Sequence, residues 1–173
     1  MSLRSTFAAL AFVLPALACA QPTPPADADD DLGSRLRRFT DRLLTPVDNP
    51  ERWLVFSGAS HHFRQNERDW REVNPGIGFE QETAIEDLYW VAGYFKNSYD
   101  RHAVHGGLRW MPWHLGPLSF GGYALVSTGY PSPVLVLPGV GIEYKRVGIN
   151  FVAAPNIAGY SGYVGVQARI RVD

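Results

Sequence analysis

A histidine and a serine that can reach one another are the least equipment for acyl transfer. The imidazole takes a proton, and the hydroxyl attacks a carbonyl or donates to the oxyanion. The chain offers such a pair in His62, which closes Ser60-His61-His62, and Ser98, within Asn97-Ser98-Tyr99-Asp100. Asn97 and Asp100 are side chains able to orient the imidazole. The same residue types crowd any solvated rim, so type alone leaves a second reading open, loop residues facing water. Other groups offer less. His102, His105 and His114 lack the spacing of a metal site, and His105 is expected in an interior polar network. No phosphate loop, dinucleotide fingerprint or nucleophile elbow occurs, so neither a metal nor a cofactor is expected.

For these distant residues to meet, the chain between them must be folded into short antiparallel elements. From residue 52 onward, short alternating runs separated by turn signals predict strands at about 53–62, 74–82, 87–96, 103–111, 117–127, 134–144, 147–154 and 162–172. Each has roughly the length that a tilted membrane strand needs. In the last, Val164, Val166, Ala168, Ile170 and Val172 alternate with Gly165, Gln167, Arg169 and Arg171. In the fourth, Val104, Gly106, Leu108 and Trp110 alternate with His105, Gly107 and Arg109. Apolar residues outward and polar ones inward is the pattern of a membrane barrel, because lipid cannot satisfy polar groups and a barrel interior can. Glu143, Arg109, Arg169 and Arg171 are then inward charges that pair across the lumen. Trp53, Trp110 and Trp113 are expected in the interfacial girdle. The fold class predicted is an all-β, eight-stranded antiparallel transmembrane barrel over 52–173.

Asp31 to Pro46 precedes it. Leu32, Leu36, Phe39 and Leu43 recur at helical spacing among Arg35, Arg37, Arg38 and Arg42, which predicts an amphipathic helix over 31–46 lying in a membrane interface. Residues 1–20 read as an export signal, with Arg4, the apolar run Phe7 to Leu17 and Ala18-Cys19-Ala20; residues 21–30 read as a flexible leader. Cleavage after Ala20 removes the only cysteine, and with it thiol chemistry. Sixteen basic and seventeen acidic residues leave a net charge of −1, which argues against a nucleic-acid partner. With helix and termini periplasmic, segments 63–73, 97–102, 128–133 and 155–161 become the external loops. His62 and Ser98 then share the outer rim.

In this order the residues resemble the PagP-type lipid A palmitoyltransferases of Gram-negative outer membranes. Ser60-His61-His62 with the charged loop and Asn74-Pro75-Gly76-Ile77-Gly78-Phe79 resembles that family's histidine-bearing first loop. Phe95-Lys96-Asn97-Ser98-Tyr99 resembles its Phe-Lys-Asp-Ser-Trp segment, Pro131 to Pro138 its proline-flanked leucine-rich strand, and Pro155 its late proline. The resemblance implies a monomeric outer-membrane enzyme that moves a palmitoyl chain from a phospholipid to lipid A. It makes His62 the catalytic histidine, or His61 if the register slips by one, and Ser98 the catalytic serine. Asn97 stands where the family has aspartate, with Asp100 as the nearby carboxylate. Gly107 falls near the family's acyl-measuring glycine, with Arg109 inward beside it. Pro133 and Pro138 remove ladder donors, which opens a wall to lipid entering sideways. Two alternatives stand beside this: a non-enzymatic structural or adhesive barrel, and a lipid A deacylase.

Overall fold

The computed structural model describes residues 31–64, 69–156 and 161–173. The expected export signal, the leader and the centres of two external loops (65–68 and 157–160) lie outside the described residues.

Helix α1 spans Leu32–Leu44. It begins at Asp31, whose carboxylate accepts from the Ser34 N–H at 2.7 Å and satisfies one of the free donors of the first turn. It ends at Thr45, just before Pro46. None of its residues is buried, and Leu32, Leu36, Phe39 and Leu44 are all exposed. The apolar stripe therefore faces away from the protein's own core. Arg42 ties the helix's last turn to the barrel through the Ala84 carbonyl at 3.2 Å.

Eight strands follow: β1 Arg52–His62, β2 Val73–Glu82, β3 Leu88–Lys96, β4 His102–Leu115, β5 Leu118–Ser127, β6 Val134–Tyr144, β7 Val147–Ala154 and β8 Tyr163–Arg171. Each pairs antiparallel with the next, and β8 pairs with β1, so the sheet is a closed up-and-down barrel without edges. The predicted alternation holds on β4 and β8. Trp110 and Trp113 are exposed on the outer face, as are Ile77, Phe151, Val164 and Ile170, while Arg109 and Arg169 are buried. β4 runs to Leu115, beyond the predicted 111. Pro112 looks like a strand terminator, but it sits where the β4–β5 register shifts between Trp110 and Trp113, a place in a ladder that tolerates proline.

A second irregularity matters more. The β1–β8 register shifts between Ser57 and Ala59, so Gly58 is an extra residue in β1. Below it Trp53 and Val55 are inward; above it the inward residues are Ser60 and His62. One bulged glycine thus reverses the phase of the strand's upper third. Were Gly58 paired in a regular ladder instead of bulged, His61, not His62, would face the lumen. As it stands, His61 is exposed and pairs with Glu72 at 3.0 Å.

The lumen has two halves. Towards the short turns, Glu80 sits between Arg109 (3.1 Å) and Arg169 (2.9 Å), while Glu143 approaches Arg169 at 3.1 Å and Arg109 at 4.0 Å. These contacts are close in distance but lack the alignment of hydrogen bonds. Arg171 pairs with Glu51 at 2.8 Å. Trp53 belongs here and not to the girdle. Its exposure is 1%, its ring lies 3.9 Å beneath the Arg169 guanidinium, and its indole N–H donates to the Glu51 carboxylate. An inward Trp in this ring of cations gains both a cation–π contact and a partner for its N–H. Beside the ions, Met111, Tyr123, Leu137 and Val152 form a small apolar cluster.

Candidate active site

Above these two clusters, towards the long loops, the lumen opens into a small, mainly apolar cavity. Leu125, Leu135, Leu137 and Val152 form one wall; Ser57, Ser60, Asn74 and Gln167 line the opposite one. Tyr123 and His105 lie at its deeper end, where a smaller void continues towards Glu80. Glycines beside it let neighbouring strands and side chains approach closely. A Cβ on Gly76 would stand 2.3 Å from the Phe95 Cβ, and one on Gly93 would stand 2.6 Å from the His105 ring. Gly107 does not line the cavity. It pairs with Val91 and Leu125 just below His105, and a Cβ there would meet the Ala124 carbonyl at 2.1 Å. Its role in the ladder is close strand approach.

At the cavity mouth Ser98 is buried. Its hydroxyl lies 3.2 Å from the Ser60 hydroxyl and accepts from the Asn74 amide at 3.4 Å. The Ser60 hydroxyl in turn donates to the Asn74 carbonyl oxygen at 2.6 Å. That order leaves the Ser98 O–H pointing to Ser60, with its lone pairs towards Asn74. Ser60 and Asn74 are the members of this cluster to which sequence reasoning gave no role. Both were findable: Ser60 shares a face with His62, and Asn74 opens the Asn-Pro-Gly turn-like run inside a strand.

His62 is also buried, but it is held by rings. It stacks on Trp70 at 4.4 Å and leans on Tyr163 at 5.4 Å. Its Nδ1 has no hydrogen-bond partner, and no described hydrogen bond joins it to Ser98. Apo active sites often keep such bonds open until substrate arrives. Asn97 is engaged elsewhere. Fully buried, it accepts from the Tyr99 and Arg101 N–H groups at 3.0 Å each and donates to the Gly129 carbonyl at 2.9 Å, joining two external loops. Asp100 points to solvent and is held by Lys96 at 2.8 Å and Arg71 at 2.9 Å. The hydrogen bond from Lys96, then that from Arg71, holds its carboxyl below the usual aspartate range. Neither side chain orients the imidazole in this arrangement.

The wall is incomplete on one side. β6 and β7 pair from Gly139↔Val152 to Tyr144↔Val147, whereas residues 134–138 of β6 pair with β5 alone. Pro138 supplies the reason. The Glu143 N–H and the Pro133 carbonyl both bond towards β5, so odd positions of β6 address β5 and even positions address β7. The N–H that Pro138 lacks is one that would have faced β7. Pro133, at an odd position, still binds the Ser127 N–H through its carbonyl at 2.7 Å and breaks no wall. Over the unpaired segment lies an opening lined by His62, Tyr130, Leu135, Leu137, Pro155 and Tyr163. Tyr130, Leu135, Leu137 and Tyr163 also line the inner cavity, so the two share these four residues as a common wall.

His102, His105 and His114 are scattered. His114 meets Asp87 at a short turn, His102 meets Tyr94 on the outer face, and His105 is inside. Among the described residues no group of three His, Cys, Asp or Glu side chains is placed to hold a metal. No described helix is long and apolar enough to cross a membrane, which says nothing of crossing by strands.

Fold and site together define a class: a small eight-stranded antiparallel barrel with an ion-filled lower lumen and a mouth-side cavity beside a lateral opening. No protein-family model matches the chain, and no curated protein matches it. Among solved structures it is similar to the solution NMR structure of the de novo designed TMB2.3, at 16% identity and a TM-score of 0.48, over 74% of this chain and 99% of that one.

Proposed function

We propose that this protein is an outer-membrane acyltransferase that moves a fatty acyl chain from a phospholipid to lipid A, as a monomer and without a cofactor. The observation that carries the reading is an apolar cavity with Ser98 at its mouth, which shares four wall residues with an opening over the β6–β7 gap that His62 lines. A lipid chain that enters between strands need never cross water, which suits a donor already dissolved in the leaflet. With the chain seated, its ester carbonyl stands at the mouth. His62 takes the proton of the lipid A hydroxyl, whose oxygen bonds to the carbonyl carbon. The Ser98 hydroxyl, turned from Ser60, donates to the oxyanion. The carbonyl then re-forms, the bond to the donor breaks, and the proton passes to the departing lysophospholipid. The hydrogen bond from Asn74 to Ser98 supports donation over nucleophilic attack, since it strengthens the O–H as a donor.

Chain length follows from depth. Along β5 the cavity runs from Ser127 to Tyr123, four steps or about 13 Å of strand, and less along the tilted barrel axis. That supports a chain shorter than the sixteen carbons of palmitate. The test is mass spectrometry of lipid A from cells expressing the protein against cells carrying the His62→Ala variant. A gain of one acyl chain with wild type alone is expected. An unchanged spectrum with a correctly inserted barrel would sink the reading. It would favour a non-enzymatic barrel, the second reading, which draws on the ion-filled lower lumen and on an imidazole with no carboxylate partner. Loss of a chain would identify a deacylase.

A further inference from the structure

The geometry points to a headgroup subsite for a phosphate-bearing lipid, centred on Arg101 and set over the mouth of the cavity; it rests on the acyl-transfer reading and adds where the polar end of the lipid sits. An open pocket lies between the first two external loops, lined by Asp69, Trp70, Arg71, Tyr99, Asp100 and Arg101. Ser98 lines this pocket from one side and the inner cavity from the other. Trp70 and Tyr99, packed edge to face at 5.2 Å, line both this pocket and the lateral opening. A lipid whose chain occupies the cavity and whose ester lies at Ser98 can therefore place its headgroup in this pocket.

The pocket's charges are arranged for an anion. Asp100 is already bound by Arg71 and Lys96, so its carboxylate is largely neutralised. Arg101 differs. Its backbone is fixed, with N–H to the Asn97 side chain at 3.0 Å and carbonyl to the Asn97 N–H at 2.8 Å, while its guanidinium has no partner among the described residues. A fixed backbone with an unspent planar cation suits bidentate capture of phosphate. With Lys96 the group carries three cations against two carboxylates, Asp69 and Asp100. The Asp69 carboxylate on the same wall disfavours a second negative charge, so a headgroup with one phosphate, or a phosphate beside an amine, fits better than one with several.

Phosphate is common to the phospholipid donor and to lipid A, and the test separates them. The protein folded in zwitterion-free detergent micelles is titrated with phosphatidylethanolamine, with phosphatidylglycerol and with bisphosphorylated lipid A, and binding is followed by Trp fluorescence and by calorimetry. Arg101→Gln is expected to weaken one of these lipids about tenfold, with Arg101→Lys restoring part of the loss. Lys145→Gln, the same charge change at the opposite end of the barrel, is expected to change nothing. Weakening of the phospholipids alone assigns the pocket to the donor, and weakening of lipid A alone assigns it to the acceptor. Equal affinity of Arg101→Gln and wild type for all three overturns the subsite, whether or not acyl transfer occurs. Binding that depends on Arg101 in a protein without transferase activity would uphold the subsite and remove the catalytic reading.

Discussion

Glu80 serves two guanidinium groups at once, and its side chain is 2% exposed. Glu143, the other carboxylate in contact, is 35% exposed and contacts the pair from the solvent side. Replacing Glu80 by the isosteric Gln leaves two buried cations short of charge, and the loss of one partner of a buried pair costs about 3–5 kcal/mol. Urea titration of the Glu80→Gln barrel in micelles is expected to show an unfolding free energy lowered by that amount, read as a lower midpoint at unchanged slope. Asp100 gives the opposite kind of prediction, small and pH-dependent. Its folded pKa is depressed, so the latch to Lys96 and Arg71 contributes fully above the ordinary aspartate value of about 3.9 and is lost as pH falls through the lowered folded value. Amide exchange at Tyr99 and Arg101 should rise in that acid window in wild type. In Asp100→Asn it should be raised at every pH.

At the scale of the strand, phase and pairing decide the site. Inserting one residue between Ala59 and Ser60, with the bulge kept, reverses the phase of the strand above it and turns His61 inward in place of His62. The expected result is a folded barrel that has lost the His62–Trp70 stack, read as a change in Trp emission, with lipid A acylation down to the level of His62→Ala. A point substitution at Gly58 that keeps the extra residue should preserve both. Pro138 offers a gain instead of a loss. Pro138→Ala restores an N–H that faces β7, and one more ladder bond is worth about 1 kcal/mol. Denaturant titration should show a stabilised barrel, while acyl uptake slows because the side opening closes. A variant both more stable and equally fast would show that lipid enters elsewhere.

For the molecule as a whole, the argument turns on what surrounds the outer face. Phe151 lies at the middle of β7 and is 40% exposed. A charge at the midplane of a membrane barrel costs about 2–4 kcal/mol, whereas the same change on a wetted strand is nearly neutral. Phe151→Arg in lipid vesicles should fall in the first range, measured by urea unfolding. A value near zero would mean that this face meets water. The helix leaves Leu32, Leu36 and Phe39 exposed beside arginines, the pattern of a helix able to lie in a membrane interface.

All eight strands, the in–out alternation of β4 and β8 and the charges of the lower lumen were legible in the chain, because closing a sheet around a polar interior gives its strands a period of two. The topology that brings the His62 and Ser98 loops to one end follows from the same count. Three things were not legible, each for a reason that period two cannot encode. The bulge at Gly58, which chooses between two adjacent histidines, is a register difference between β1 and β8 and exists only once they pair. Trp53 reads as a girdle residue by type, and only the pairing that sets Arg169 of β8 diagonally beside it shows that it faces inside. The partnership of Ser98 with Ser60 and Asn74, and the binding of Asn97 to Gly129, join separate strands and loops. Local sequence determines which side of the wall a residue occupies; which residues then face one another depends on how the closed sheet is sheared, and that only the tertiary structure decides.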